Sequence, residues 1–112
     1  MDTRSRDRWT GAAALALVLM GTAASQDLAK VEIKTVPVAA NVSMLVGAGG
    51  NIGVSVGEDG TLLIDDEFPE LIDKIKAAAA ALRPGPIRFV LNTNWHYDHA
   101  NGNELLAKAG AV

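Results

Sequence analysis

The chain contains no cysteine. Its 112 residues can therefore form no disulfide, and no thiolate is available to a metal. Any metal site must draw on His, Asp, Glu or carbonyl oxygens. There is no excess of positive charge either. The formal net charge is -3, and no basic run or basic helix is present. The phosphate-neutralising term that drives nucleic-acid binding would be weak, and nothing points to an anionic membrane surface. No internal repeat and no linker interrupts the sequence. No apolar run is long enough to span a bilayer as a helix.

What is present is an ordinary globular composition, 49% hydrophobic and 21% charged, with length for one small domain. The first residues stand apart. Arg4, Arg6 and Arg8 precede the short apolar run GAAALALVLM, and GTAAS supplies small residues. A positive head, a short apolar middle and a small-residue exit predict a secretory signal peptide over residues 1–25, cleaved after Ala24 or Ser25. A membrane anchor or a buried helix is the alternative. The expected compartment is the periplasm or the exterior, with no membrane association after cleavage.

From residue 26 onward the pattern is mixed. KVEIKTVPV alternates apolar Val31 and Ile33 with polar Glu32 and Lys34, as a half-buried strand does. Pro37 cannot donate to a ladder, so this strand lies at an edge or ends there. NVSMLVG and NIGVSVG read as two strands joined by a glycine-rich turn, whose glycines would serve positive φ angles. GAGGNIG is not a phosphate loop, because no helix follows and no Lys-Ser/Thr closes it. EDG marks another turn, and TLLID a short apolar strand. FPELIDKIKAAAAALRPG predicts a helix opened by Pro69, with Leu71, Ile75, Ala78 and Leu82 on one face, and stopped by Pro84-Gly85-Pro86. IRFVLN reads as a buried strand and NELLAKAG as a short helix, while the final AV could open one more strand. Antiparallel strands followed by helix, strand, loop and helix predict an α+β fold.

Both histidines fall in NTNWHYDHANGN. His96, Asp98 and His99 offer two imidazoles and a carboxylate at the end of a strand, where a loop has a rigid root. They could hold zinc, although at least one further ligand would be needed. The alternative is a polar loop in which Asp98 or Asn101 caps the following helix. A calcium loop is excluded, since counting Gly102 as its sixth position puts Tyr97 where the first carboxylate belongs.

NTNWHYDHANGN, preceded by TLLIDDEF, resembles the metallo-β-lactamase-fold hydrolases. Their hallmark is His-x-His-x-Asp-His after a buried strand, often with Asn-Thr before it and Gly-Gly-Asn after it. The resemblance extends over nearly all of residues 26–112, in the family's order. It implies the N-terminal half of an αββα sandwich, a partial domain that stops short at its C-terminus and leaves an inner sheet face exposed to association. It also implies that His96 is a ligand of a first zinc, and that Asp98 and His99 are ligands of a second. Asp65 would support the metal loop from beneath, with Asp66 beside it; turn formation and capping around Pro69 are other uses for these two acids. Asn94 occupies the place of the motif's first histidine. An amide oxygen is a weaker zinc ligand than imidazole, so of one or two zinc ions the second site is favoured, with Asn94 a candidate further ligand or free to bond water or substrate. A single-zinc subclass of the family carries Asn there as well, but usually has Arg where this chain has His99. The implied reaction is hydrolysis of a small molecule. Metal-bound hydroxide would attack an ester, lactone, thioester or β-lactam carbonyl, Asp98 would orient the water or take its proton, and His96 would act as a base if not tightly metallated. The fragment alone is expected to be inactive. The rival reading is a non-catalytic, degenerate member that binds one metal or a ligand.

Overall fold

The computed structural model describes residues 27–112. The expected signal peptide and its cleavage point lie outside the described residues. After one 3₁₀ turn at Leu28–Lys30 come four strands, β1 (Lys34–Ala39), β2 (Val42–Val46), β3 (Asn51–Gly57) and β4 (Gly60–Ile64). A 3₁₀ turn at Pro69–Leu71 leads into α1 (Ile72–Leu82). Strand β5 (Ile87–Leu91) follows, then the single-turn α2 (Tyr97–Ala100) and α3 (Asn103–Lys108). The strands form one sheet in the order β1-β2-β3-β4-β5. This is the α+β order expected from the sequence.

The first three pairings are antiparallel hairpins. Two of them turn through two residues, Ala40-Asn41 between β1 and β2 and Glu58-Asp59 between β3 and β4, the latter with Gly57 opposite Gly60 and Gly60 at φ 115°. Pro37 does lie in an edge strand, opposite Ser43, and the ladder shifts register just after it. Strand β1 starts later than the alternation suggests. Val31 and Ile33 precede it and pack against the core as an approach segment. Lys74 holds that segment to α1 by donating to the carbonyls of Ala29 (2.9 Å) and Val31 (2.6 Å).

The core occupies one face of the sheet. Leu45, Ile52, Val54 and Leu63 point to it, and Leu71, Ile72, Ile75 and Leu106 close over them. Pro69 opens the helical segment as expected. The buried stripe differs from the expected one, however. It runs Leu71, Ile72, Ile75, Ala79, while Ala78 is only partly buried and Leu82 is exposed. Ile72, Ile75 and Ala79 recur at helical spacing within α1, so the buried face is turned toward Ile72 from the one expected.

Strand β5 is also less buried than IRFVLN suggests. Val90 pairs with Leu63 and is partly buried, whereas Phe89 and Leu91 are 43% and 59% exposed. They extend an apolar surface shared with Leu62 and Ile64, their partners in register. A strand is buried on both sides only where both sheet faces are covered, and among the described residues helices cover one. At its outer edge, β5 is bridged by the last residue. The Val112 amide donates to the Arg88 carbonyl and its carbonyl accepts from the Val90 amide, both at 2.9 Å, in the manner of a parallel strand.

The pairing of β4 with β5 is parallel, through the α1 crossover. That choice builds the site. Parallel strands end on the same side, so the segment after Ile64 emerges beside the segment after Leu91. The Asp65 amide already donates to the Leu91 carbonyl at 2.8 Å. The carboxyl ends of parallel strands are where such sheets place their ligands.

Candidate metal centre

Three consecutive acids, Asp65, Asp66 and Glu67, leave β4, and all three are buried. Asp65 and Glu67 adopt left-handed backbone conformations, with φ of 69° and 55°. Such geometry costs a non-glycine residue about 1–3 kcal/mol. Neighbouring bonds hold it. The Asp66 amide donates to the His99 carbonyl (2.9 Å), and the Asn101 amide donates to the Glu67 carbonyl (3.0 Å). The acidic turn and the histidine loop are thus laced together along their backbones.

The side chains then diverge. Asp65 faces the histidine loop: Oδ1 accepts from the Thr93 amide (2.7 Å), while Oδ2 accepts from the Thr93 hydroxyl (2.8 Å) and contacts His99 Nδ1 (2.8 Å). Asp66 accepts from the Gly102 amide at 3.0 Å, and Glu67 from the Ala48 amide at 2.9 Å. Neither Asp65 nor Asp66 caps the helix after Pro69. Its N-cap is Phe68, with no side-chain bond. Asp98 and Asn101 do not cap α3 either, whose N-cap is Gly102. Asp98 lies instead in the first turn of α2.

His99 Nε2 lies 3.6 Å from Asp98 Oδ2. Two zinc ligands at ~2.0–2.2 Å in tetrahedral array lie ~3.3–3.6 Å apart. The Asp98–His99 pair therefore fits adjacent positions on one ion, and Asp65 on Nδ1 leaves Nε2 for it, as carboxylate–histidine pairs do in metal sites. Among the described residues no three His, Asp or Glu side chains converge as a metal-holding group. The structure joins Asp98 and His99 without adding His96 to them. His96 is exposed, with its ring edge-on to Trp95 at 4.8 Å. Trp95 and Tyr97 are 81% and 73% exposed. The Asn94 amide, expected as a further ligand or as free to bond water or substrate, is engaged at both ends: Oδ1 accepts from the His96 amide (2.9 Å) and Nδ2 donates to the Thr93 hydroxyl (3.0 Å).

Nothing in the residue pattern marks the glycine loop before β3 as part of this site. Of its glycines, only Gly49 has a positive φ. The others admit close approach. A Cβ on Gly47 would fall 2.5 Å from Glu67 Oε2, and one on Gly50 would fall 2.9 Å from the Asp98 carbonyl and 3.0 Å from His99 Cε1. The loop lies directly on the Asp98–His99 backbone, and Glu67 ties it there.

Burial raises the Asp65 carboxyl, but the bonds from Thr93 and His99 outweigh it and hold it below the ordinary aspartate range. His99 is raised, chiefly by its bond to Asp65, against the effect of burial. Burial also raises Glu67, opposed by the Ala48 and Gly47 amides. Asp66 is pushed up to about 6 by burial, opposed by the Gly102 amide and reinforced by the charge of Asp65. Its Oδ2 has no hydrogen-bond partner among the described residues. The folded chain keeps a proton on Asp66 that the unfolded chain releases from pH ~4 upward. This contribution to stability is fully present below the unfolded pKa and is lost as pH rises through about 6. Asp66→Asn, neutral at every pH, should thus gain on the parent between pH 4 and 7.5, by at most ~3 kcal/mol. Urea unfolding at both pH values measures the gap. Parallel profiles for the two proteins would contradict the burial of a protonated acid.

Solved structures share the fold of this chain. One, described as the first B3 metallo-beta-lactamase with an active-site glutamic acid, is 32% identical over 66% of this chain and 29% of its own, with a TM-score of 0.59. The native FEZ-1 metallo-beta-lactamase from Legionella gormanii is 21% identical over 70% of this chain and 31% of its own, with a TM-score of 0.61. MEM-A1, a subclass B3 enzyme from a soil metagenome library, matches at 21% identity and a TM-score of 0.60, over 70% of this chain and 31% of its own. This chain spans about three tenths of the length of these structures. No curated protein matches. The family model described as the metallo-beta-lactamase superfamily matches residues 45–112, which take in the glycine loop, the acidic turn and the whole histidine loop. With sheet order, acidic turn and histidine loop all in place, the chain belongs to the metallo-beta-lactamase superfamily.

Proposed function

We propose that this chain carries the Asp98–His99 half of the metal centre of an exported zinc-dependent hydrolase. Its substrate would be a small molecule with an ester, lactone, thioester or β-lactam carbonyl. The carrying observation is the bond between Asp65 and His99 Nδ1, which turns Nε2 toward Asp98 Oδ2. The solved relatives include a B3 enzyme described as di-zinc, which supports zinc in general. One or two ions are proposed, with the site of Asp98 and His99 favoured. When bound, zinc would supply a Lewis acid and a water acidified to about pKa 7. Asp98 would orient that water and accept its proton. Exposed His96 is a ligand of the other site or a second proton acceptor. The arginine-led N-terminal segment supports export to the periplasm or beyond.

Asp98→Ala in the protein that carries this segment should lower zinc affinity and reduce hydrolysis by about 10²–10⁴-fold. A panel of lactam, lactone and thioester substrates reads the rate, and metal analysis reads the zinc. Undiminished turnover would remove Asp98 from the chemistry. The second reading is a degenerate member that holds one metal and turns nothing over. The engaged Asn94 amide favours it, because the motif position that should ligate is occupied with other bonds. Zinc binding without turnover across the panel would decide for it.

A further inference from the structure

The residue at the motif's first histidine position has lost an imidazole, yet its amide is not idle. We propose that Asn94 is a positioning residue rather than a ligand: it replaces a coordinate bond with hydrogen bonds that set the turn presenting His96. This rests on the zinc reading above for its purpose, but not for its geometry.

The bonds form one chain. Asp65 Oδ2 accepts from the Thr93 hydroxyl (2.8 Å), the Thr93 hydroxyl accepts from Asn94 Nδ2 (3.0 Å), and Asn94 Oδ1 accepts from the His96 amide (2.9 Å). The last bond, from a side-chain oxygen to the amide two residues on, is an Asx turn. The hydroxyl is well used: it donates once and accepts once, as one rotor can. The same Asp65 oxygen contacts His99 Nδ1 (2.8 Å). One buried carboxylate therefore orients His99 directly and, through Thr93 and Asn94, the backbone that carries His96. In a motif with histidine at this position, a metal would tie the segment down. Here hydrogen bonds within the chain make the tie. An amide suits the role, since it offers a donor to Thr93 and an acceptor to His96 at once. An aspartate keeps only the acceptor, and an alanine keeps neither.

The test uses the metal-free chain first. Asn94→Ala should speed hydrogen exchange at the His96 amide about five- to tenfold, the loss of one hydrogen bond, while Asn94→Asp should retain most of the protection. Cobalt(II) loading of the protein that carries this segment then separates brace from ligand. Saturated Asn94→Ala should keep the visible absorption bands of the parent, with affinity lowered by about 10-fold. Unchanged His96 exchange in Asn94→Ala, or exchange in Asn94→Asp as fast as in Asn94→Ala, would overturn the proposal, as would cobalt bands that shift when the amide is removed. Failure of the parent to bind cobalt or zinc would overturn the proposed function alone, and the metal-free exchange would still decide the role of Asn94.

Discussion

Asp65→Asn should leave the fold standing and weaken zinc binding by about 10–100-fold. Asparagine tolerates the left-handed backbone that residue 65 adopts, and its oxygen can still accept from the Thr93 amide where Oδ1 now does. Its nitrogen would then stand where Oδ2 meets the Thr93 hydroxyl and His99 Nδ1. The hydroxyl can turn to accept. The imidazole can accept only on an unprotonated Nδ1, which puts the proton on Nε2, the nitrogen that faces Asp98. The ligand is lost through its tautomer, not its place. Asp65→Ala is harsher: it abandons charge-assisted bonds worth about 1.5–3 kcal/mol each and leaves a residue poorly suited to positive φ. A loss of ~3–5 kcal/mol follows. Zinc titration of the Asn variant and urea unfolding of both measure these effects. Parent-like zinc affinity in Asp65→Asn would show that His99 is not oriented through its Nδ1.

Gly102→Ala should destabilise the chain by about 2–3 kcal/mol through overpacking alone. Gly102 has φ -86°, open to any residue, so conformation is not the cause. Its Cβ would fall 2.5 Å from Ile72 Cδ1, 2.9 Å from the Asp66 carbonyl oxygen and 3.0 Å from Asp66 Cγ. The isoleucine is buried in the core and the carbonyl is backbone, so neither has free room to retreat. The shift would also loosen the Gly102 amide from Asp66. Gly57→Ala is the control, since among the described residues nothing lies within 4 Å of its Cβ. Thermal unfolding should separate the two by several degrees, about 4–8 °C per kcal/mol in a chain of this size. Equal melting temperatures would show that the acidic turn and α3 yield to each other more easily than their contacts suggest.

The elements themselves were legible from local chemistry. Pro69 and the Pro84-Gly85-Pro86 stop framed the helix because proline and glycine act on the backbone of their own neighbourhood. The hairpins were legible because turn residues and apolar alternation lie close in sequence. The buried face of α1 was displaced toward Ile72, because the side of an apolar helix that meets the sheet is set by docking and not by composition. The burial of β5 was overstated for a different reason: IRFVLN states that the strand is apolar, not how many layers cover it. For Asp65 and Asp66 the family resemblance implies support of the histidine loop, while local sequence equally allows turn formation and capping around Pro69, and these uses do not exclude each other. Which use wins depends on Thr93, His99 and Gly102, residues 28 to 36 positions away.

The sequence by itself determined the donor chemistry of this protein: no thiolates, two histidines, and an aspartate between them at a spacing that one loop can carry. It also determined the superfamily, because His96, Asp98 and His99 stand at motif positions after an LLID strand. Only the tertiary structure decided what those groups face. Parallel pairing of β4 with β5 sets two strand ends side by side, so a carboxylate from one loop reaches an imidazole and a threonine from another. Hydrogen bonds are short and directional, and whether two such groups meet is fixed by the path of the chain between them, not by their identities. The amide of Asn94 shows the same limit at the smallest scale. Its composition allows a ligand, a free donor or a brace, and only its distances to Thr93 and His96 select the last.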